Sequence, residues 1–159
     1  MSSFPTTESK IVLSAAQLLS LNTSPVLLVP GKTGCLIELM SAYFRYVHGA
    51  TPFNPGVSDQ LTLIYGPILS SNPTVNLTPA TGFVDQSVDM ANWLSPSWGG
   101  NGQPSTGVSQ GFPLSSYIGQ GISILQFDAG DTFPTGTNWT QGTGSVVVFL
   151  KYAYVNVEG

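Results

Sequence analysis

Val146-Val147-Val148-Phe149-Leu150-Lys151-Tyr152-Ala153-Tyr154-Val155-Asn156-Val157 is the stretch on which the fold class turns. Val, Phe and Tyr suit a pleated backbone, and a run this long without Gly or Pro makes one strand. Side chains alternate across a strand, which sets Val146, Val148, Leu150, Tyr152 and Tyr154 on one face. Val147, Phe149, Ala153, Val155 and Val157 occupy the other face, interrupted by Lys151. A strand with one solvated face alternates apolar and polar residues. Both faces are therefore expected to be covered, one by a partner sheet and the other by a short helix or a neighbouring subunit.

Upstream, the same reasoning makes a strand of Cys35 to Val47, again apolar on both alternating faces, with Leu36, Met40, Ala42, Phe44 and Tyr46 on one and Cys35, Ile37, Leu39, Tyr43 and Val47 on the other. Val26 to Val29, Leu61 to Tyr65 (with Ile68 to Leu69 beyond a Gly66-Pro67 bend), Val75 to Leu77 and Ile122 to Phe127 supply shorter strands between Gly and Pro turns. Ser14 stands three residues before Gln17, the spacing of a capping box, and opens a short helix that Asn22 to Pro25 ends. Val84, Val88 and Ala91 fall at i, i+4 and i+7, which predicts an amphipathic helix from Val84 to Leu94, stopped by Ser95-Pro96. Residues 1–10 read as a flexible polar arm, and Ser97 to Pro113 as a long Gly-rich loop. The expected fold is all-β: a jelly-roll-like antiparallel β-sandwich with one or two short helices, forming a single domain over residues 11–159 with a helix and loop insertion at about 84–113.

The chain has 159 residues, only 8% of them charged, and no Lys or Arg between Arg45 and Lys151. A net charge of -4 without clustered basic residues excludes a nucleic-acid footprint. So little charge leaves a surface suited to contact with other protein. No apolar run approaches the length needed to span a bilayer, and Met1 to Lys10 lacks the basic and apolar regions of a secretory signal. Asn22-Thr-Ser, Asn76-Leu-Thr and Asn138-Trp-Thr are accordingly read as turn-forming clusters rather than glycosylation acceptors. Cys35 has no intramolecular partner and reads as a buried, inert thiol.

Candidate chemistry is sparse. Gly31-Lys32-Thr33 lacks the first glycine of a phosphate loop, since Val26 stands there. His48 has no second histidine or nearby cysteine to share a metal and reads as an edge residue. Asp85 and Asp89 would share a helix face, and Asp128 and Asp131 flank Gly130 in a turn; helix-dipole and turn chemistry explain both pairs. No metal, cofactor or catalytic set is expected. Trp98, Phe112, Tyr117 and Trp139, in or near the long loops, together with Phe4 and Pro5 in the arm, are the residues expected to contact a partner.

Leu13-Ser-Ala-Ala-Gln-Leu-Leu-Ser-Leu-Asn-Thr-Ser-Pro-Val26, the strand through Tyr43-Phe44-Arg45, and Val146 to Val155 together resemble small virion proteins of tailed bacteriophages. The resemblance implies jelly-roll units that assemble as trimers on the head as cement or decoration proteins, or serve in tails and fibres. It implies no enzymatic activity. Its expected partners are further copies of the chain and a major capsid protein, and its place is the capsid surface after synthesis in the host cytoplasm. A carbohydrate-binding module or receptor-binding tip stacking sugars on Trp98, Trp139 and Tyr117 is the alternative. A glycoside hydrolase using Asp85, Asp89, Asp128 or Asp131 is the more distant one.

Overall fold

The computed structural model describes residues 4–66, 74–94, 117–128 and 138–157. Its elements run β1 (Thr6–Leu13), α1 (Ala15–Ser20), β2 (Val26–Val29), β3 (Cys35–Val47), β4 (Asp59–Tyr65), β5 (Thr74–Pro79), β6 (Met90–Leu94), β7 (Ile122–Asp128) and β8 (Ser145–Asn156). They form two four-stranded sheets, ordered β1-β8-β3-β6 and β2-β7-β4-β5, in which all the described ladders are antiparallel. The ladders β1·β8, β2·β7, β3·β6 and β4·β5 are those of one long hairpin whose tip lies between β4 and β5. Wrapping that hairpin on itself adds β3·β8 and β4·β7, which gives the order of a jelly roll. The expected all-β sandwich is thus observed. No helix among the described residues is long and apolar enough to cross a membrane.

The doubly apolar pattern of β3 has a local explanation. Its register against β8 shifts between Leu39 and Ser41, so one extra residue changes which alternate set faces inward. Cys35, Ile37 and Leu39 are buried before the bulge, and Ala42, Phe44 and Tyr46 after it. Both sets therefore enter the same core, and no second cover is needed for β3. Strand β8 lies between β1 and β3, with Val146, Val148, Leu150 and Tyr152 in the core. On its reverse face Phe149 is half-buried, with Tyr43 5.5 Å away and the Lys10 ammonium 5.6 Å over its ring. The Lys10 side chain covers part of this face, which was expected to meet a short helix or a neighbouring subunit. Three of the four basic residues, Lys10, Arg45 and Lys151, stand on it.

Two further expectations are corrected. From Thr6 onward the predicted arm is β1, registered residue by residue on β8, because Ile11 and Leu13 pack inward while Glu8 and Lys10 stay wet. The predicted helix from Val84 to Leu94 does not form. Val84 is fully buried but Val88 is 58% exposed, so they share no apolar face. An isolated short helix is marginal, whereas Met90 to Leu94 gain a full ladder against Ala42 to Tyr46 and become β6. Helix α1 forms as expected: Gln17 N–H donates to Ser14 Oγ at 3.3 Å and Ser14 N–H to Gln17 Oε1 at 2.9 Å, a complete capping box. Its Leu18, with Leu21 behind it, plugs the core. Ile64, Leu125 and Phe127 make a second buried cluster on the reverse face of the other sheet.

Candidate assembly surfaces

Jelly-roll winding gathers four connections at one end of the sandwich: residues 14–25, 48–58, 80–89 and the segment before β8, of which 138–144 are described. Asn54 ties two of them, its Nδ2 donating to Thr140 Oγ1 at 2.8 Å while its Oδ1 accepts from Thr140 N–H at 3.0 Å and Gln141 N–H at 3.1 Å. Thr51 N–H donates to Thr143 Oγ1 at 2.9 Å, and Thr143 N–H returns a bond to Thr51 C=O at 3.0 Å. Asn138 Nδ2 reaches Thr23 Oγ1 at 3.1 Å, Thr81 Oγ1 reaches Gly56 C=O at 3.0 Å, and Phe53 N–H reaches Val84 C=O at 3.2 Å. All these bonds are made by uncharged groups. Gly142, at φ 144, is required here, since a Cβ would collide with the Phe53 ring.

Beneath these loops lies a carboxylate that the sequence reading did not single out. Asp59, 5% exposed, opens β4 with its Oδ2 accepting from Trp139 Nε1 at 2.7 Å, Gly56 N–H at 2.7 Å and Gln126 Nε2 at 3.1 Å. One oxygen thus joins two loops and β7. Trp139 is 4% exposed and packs its ring on Phe53 at 5.6 Å, so it belongs to the core and is not the exposed contact platform expected of it. The physical reason is the buried acceptor, which satisfies the indole N–H of a large apolar ring. The available signal was a carboxylate, Asp59, two residues before the run Leu61–Tyr65, and an amide, Gln126, within the run Ile122–Phe127.

The opposite end is tied by tyrosines. Ile37 N–H donates to the Tyr65 hydroxyl at 2.6 Å, across the gap between the sheets, and the Tyr154 hydroxyl donates to Pro30 C=O at 2.8 Å. Lys32 lies 5.5 Å over the Tyr154 ring, and Tyr152 meets the same ring edge-on at 5.5 Å. Burial pushes the Tyr65 and Tyr154 phenols above their ordinary value, as it does Tyr46 at the other end. Tyr117, an expected contact residue, is half-buried against the core and meets Tyr65 edge-on at 5.8 Å. Gly31 of the rejected phosphate-loop tripeptide is needed for backbone approach, because a Cβ would strike Gly119 C=O.

The other sequence candidates scatter. Phe4, 46% exposed, and Pro5 are on the surface just ahead of β1. Trp98, Phe112 and Asp131, the loop Ser97 to Pro113, and the strand extension Ile68 to Leu69 lie outside the described residues. Asp85 Oδ1 accepts from Gly82 N–H at 2.7 Å, closing a turn. Asp89 instead takes the His48 N–H and Arg45 Nη2, each at 2.9 Å. The His48 amide and then the Arg45 guanidinium hold the Asp89 carboxyl below the usual carboxylate range. Asp128 accepts from Ser58 Oγ at 2.5 Å. Cys35 is buried and free. The carboxylates suggested for a hydrolase therefore serve separate turns and strand ends, and the structure brings none of the described ones together across a cleft.

No protein-family model matches the chain, and no curated protein matches it. Among solved structures, the chain is similar to one in the cryo-EM structure of Mud crab tombus-like virus, at 7% identity and a TM-score of 0.28, over 98% of this chain and 84% of that one. The fold assignment rests on the strand order alone.

Proposed function

We propose that the chain is a structural protein of a virion, a cement or decoration subunit that associates with its own copies and with a larger protein shell. The observation that carries this reading is the jelly-roll order β1-β8-β3-β6 and β2-β7-β4-β5 in a chain with 8% charged residues. Jelly rolls serve capsids, lectins and cupins alike, so the fold supports the reading by analogy. The low charge inclines it toward assembly, since a surface poor in charge resists association weakly. Loops cross-tied by Asn and Thr at one end supply a preformed contact surface, held mainly by uncharged groups, that needs little ordering on binding. The resemblance to phage virion proteins implies three-fold closure of the oligomer. A sugar-binding reading loses one of its stacking platforms, because the Trp139 ring is buried.

Purified particles probed with antibody against this chain, and imaged with the label in place, test the proposal. Regularly spaced label on the shell is expected. Particles that carry none of the chain overturn it, and glycan binding by the purified protein would then direct attention to lectin chemistry.

A further inference from the structure

β1 is the outermost strand of its sheet, with β8 on one side and no described strand on the other. The other edge strands are shorter: β2 has four residues between Pro25 and Pro30 and is bulged, β6 has five, and β5 has six and ends in Pro79. β1 runs for eight residues, with Thr6, Thr7, Glu8, Lys10 and Val12 exposed. An open edge of that length is a template for another strand, and two features specify which strand.

The first is the order of charge. An antiparallel strand from a second copy, centred so that Ser9 meets Ser9, sets each Glu8 opposite the other copy's Lys10 on the outward face, and each Thr6 opposite Val12. Opposite charges directly across a ladder attract and like charges repel. An edge guarded against pairing would repeat one sign, whereas here the signs alternate about Ser9. The intramolecular contacts of these groups are loose: Glu8 is 3.8 Å from Lys151 with its side chain 78% exposed, and Lys10 lies over the Phe149 ring. Both heads remain free to be shared. The second feature is the Ser9 hydroxyl, buried and without a hydrogen-bond partner. Across the axis a second Ser9 stands at cross-strand distance, where one χ1 rotation lets each hydroxyl donate to or accept from the other.

We propose that two copies join through their β1 edges, antiparallel about Ser9, forming a continuous eight-stranded sheet across a two-fold axis. Pro5 ends the ladder at one side because it has no N–H, and the turn into α1 ends it at the other. The contact is isologous. It either makes a dimer or links larger rings in pairs, and it stands whether or not the chain belongs to a virion.

The test uses the full chain and its variants Glu8→Lys and Lys10→Glu, in sedimentation across a concentration series at low salt, with circular dichroism confirming the fold. Each variant alone faces like charge with like and is expected to associate at least about tenfold more weakly than the wild type. An equimolar mixture of the two restores both attractive pairs and is expected to recover association as a heterodimer. Ser9→Cys, oxidised, should give a covalent dimer on a non-reducing gel, while Thr7→Cys, which faces Ile11 in this register, should not. The proposal is overturned if the wild type does not self-associate, if the charge variants associate as strongly as the wild type, if the mixture gains nothing, or if Thr7→Cys cross-links as readily as Ser9→Cys.

Discussion

At the end where β1 runs into α1, the loops are tied by amide and hydroxyl groups above the buried Asp59 carboxylate; at the opposite end, tyrosine hydroxyls and rings hold β2, β3, β4 and β8. The two ends enclose one core but concentrate their stabilisation differently. At the first, three donors converge on one oxygen. At the second, each tyrosine makes its own bond to a different backbone group. A convergent arrangement fails as a unit when its acceptor is removed, whereas a distributed one loses single bonds. The ends should therefore differ sharply in their response to the loss of one group.

The largest effect is expected from Asp59→Ala, which leaves the Trp139 indole N–H, the Gln126 amide and the Gly56 N–H without this acceptor. Each stranded buried donor costs about 1–3 kcal/mol, so a loss of about 3–5 kcal/mol is expected after partial rescue by water. Asp59→Asn keeps an acceptor oxygen but forfeits charge-assisted bonding and should cost about 1–2 kcal/mol. Urea midpoints at unchanged slope measure both. Equal losses for the two variants would show that side-chain shape, not convergence on Oδ2, holds this end.

At the tyrosine end, Tyr65→Phe keeps the ring against Tyr117 and removes the bond to Ile37 N–H, so about 1–2 kcal/mol is expected. Hydrogen exchange at the Ile37 amide should accelerate, while amides around Trp139 should not respond. A spread of the change to both ends would erase the contrast between them.

Alkaline pH tests the ends in a different way. Burial is the leading cause that raises the Tyr46, Tyr65 and Tyr154 phenols above 10.0, with two of the three at the tyrosine end. In the unfolded chain these groups lose their protons near the ordinary value. Their contribution is thus complete below about pH 10 and is lost as pH rises toward the folded-state values. Stability should decline above that point, and Tyr65→Phe and Tyr46→Phe should each flatten the decline by removing one such group. Comparing denaturation midpoints of the two single variants against pH decides which end responds.

The elements legible in the sequence were those whose local pattern already contained the tertiary answer. Cys35–Val47 and Ser145–Asn156 are long runs of β-favouring residues, and Ser14 with Gln17 spells its own cap. The rest was decided at long range. Met90–Leu94 became a strand because β3 offered it a ladder, and nothing within the five residues records that partner. Thr6–Lys10 looked like an arm because an edge strand keeps one face wet. The bulge at Met40 carries no Gly to mark it. Trp139 was misplaced for a similar reason: the group that buries it, Asp59, is 80 residues away in the chain.

The smallest expected effect sharpens the comparison at the surface of the loop end. Asp89 bonds the His48 N–H and the Arg45 guanidinium where β6 begins, with its side chain 47% exposed, so it tests whether solvent-facing ties add to those over Asp59. The His48 amide, and secondarily Arg45, lower its carboxyl below 3.8. For a depressed acid, the contribution to stability is complete above the unfolded value and disappears as pH falls through the folded one. Wild type should therefore exceed Asp89→Asn in thermal midpoint at pH 5 to 7, with the gap closing as pH drops below about 3.8. Added salt should shrink the Arg45 share of the gap but leave the backbone share, because ion pairs at the surface are screened. A gap that persists unchanged into acid would mean that Asp89 acts through the shape of the turn before β6, with its charge contributing nothing to the fold.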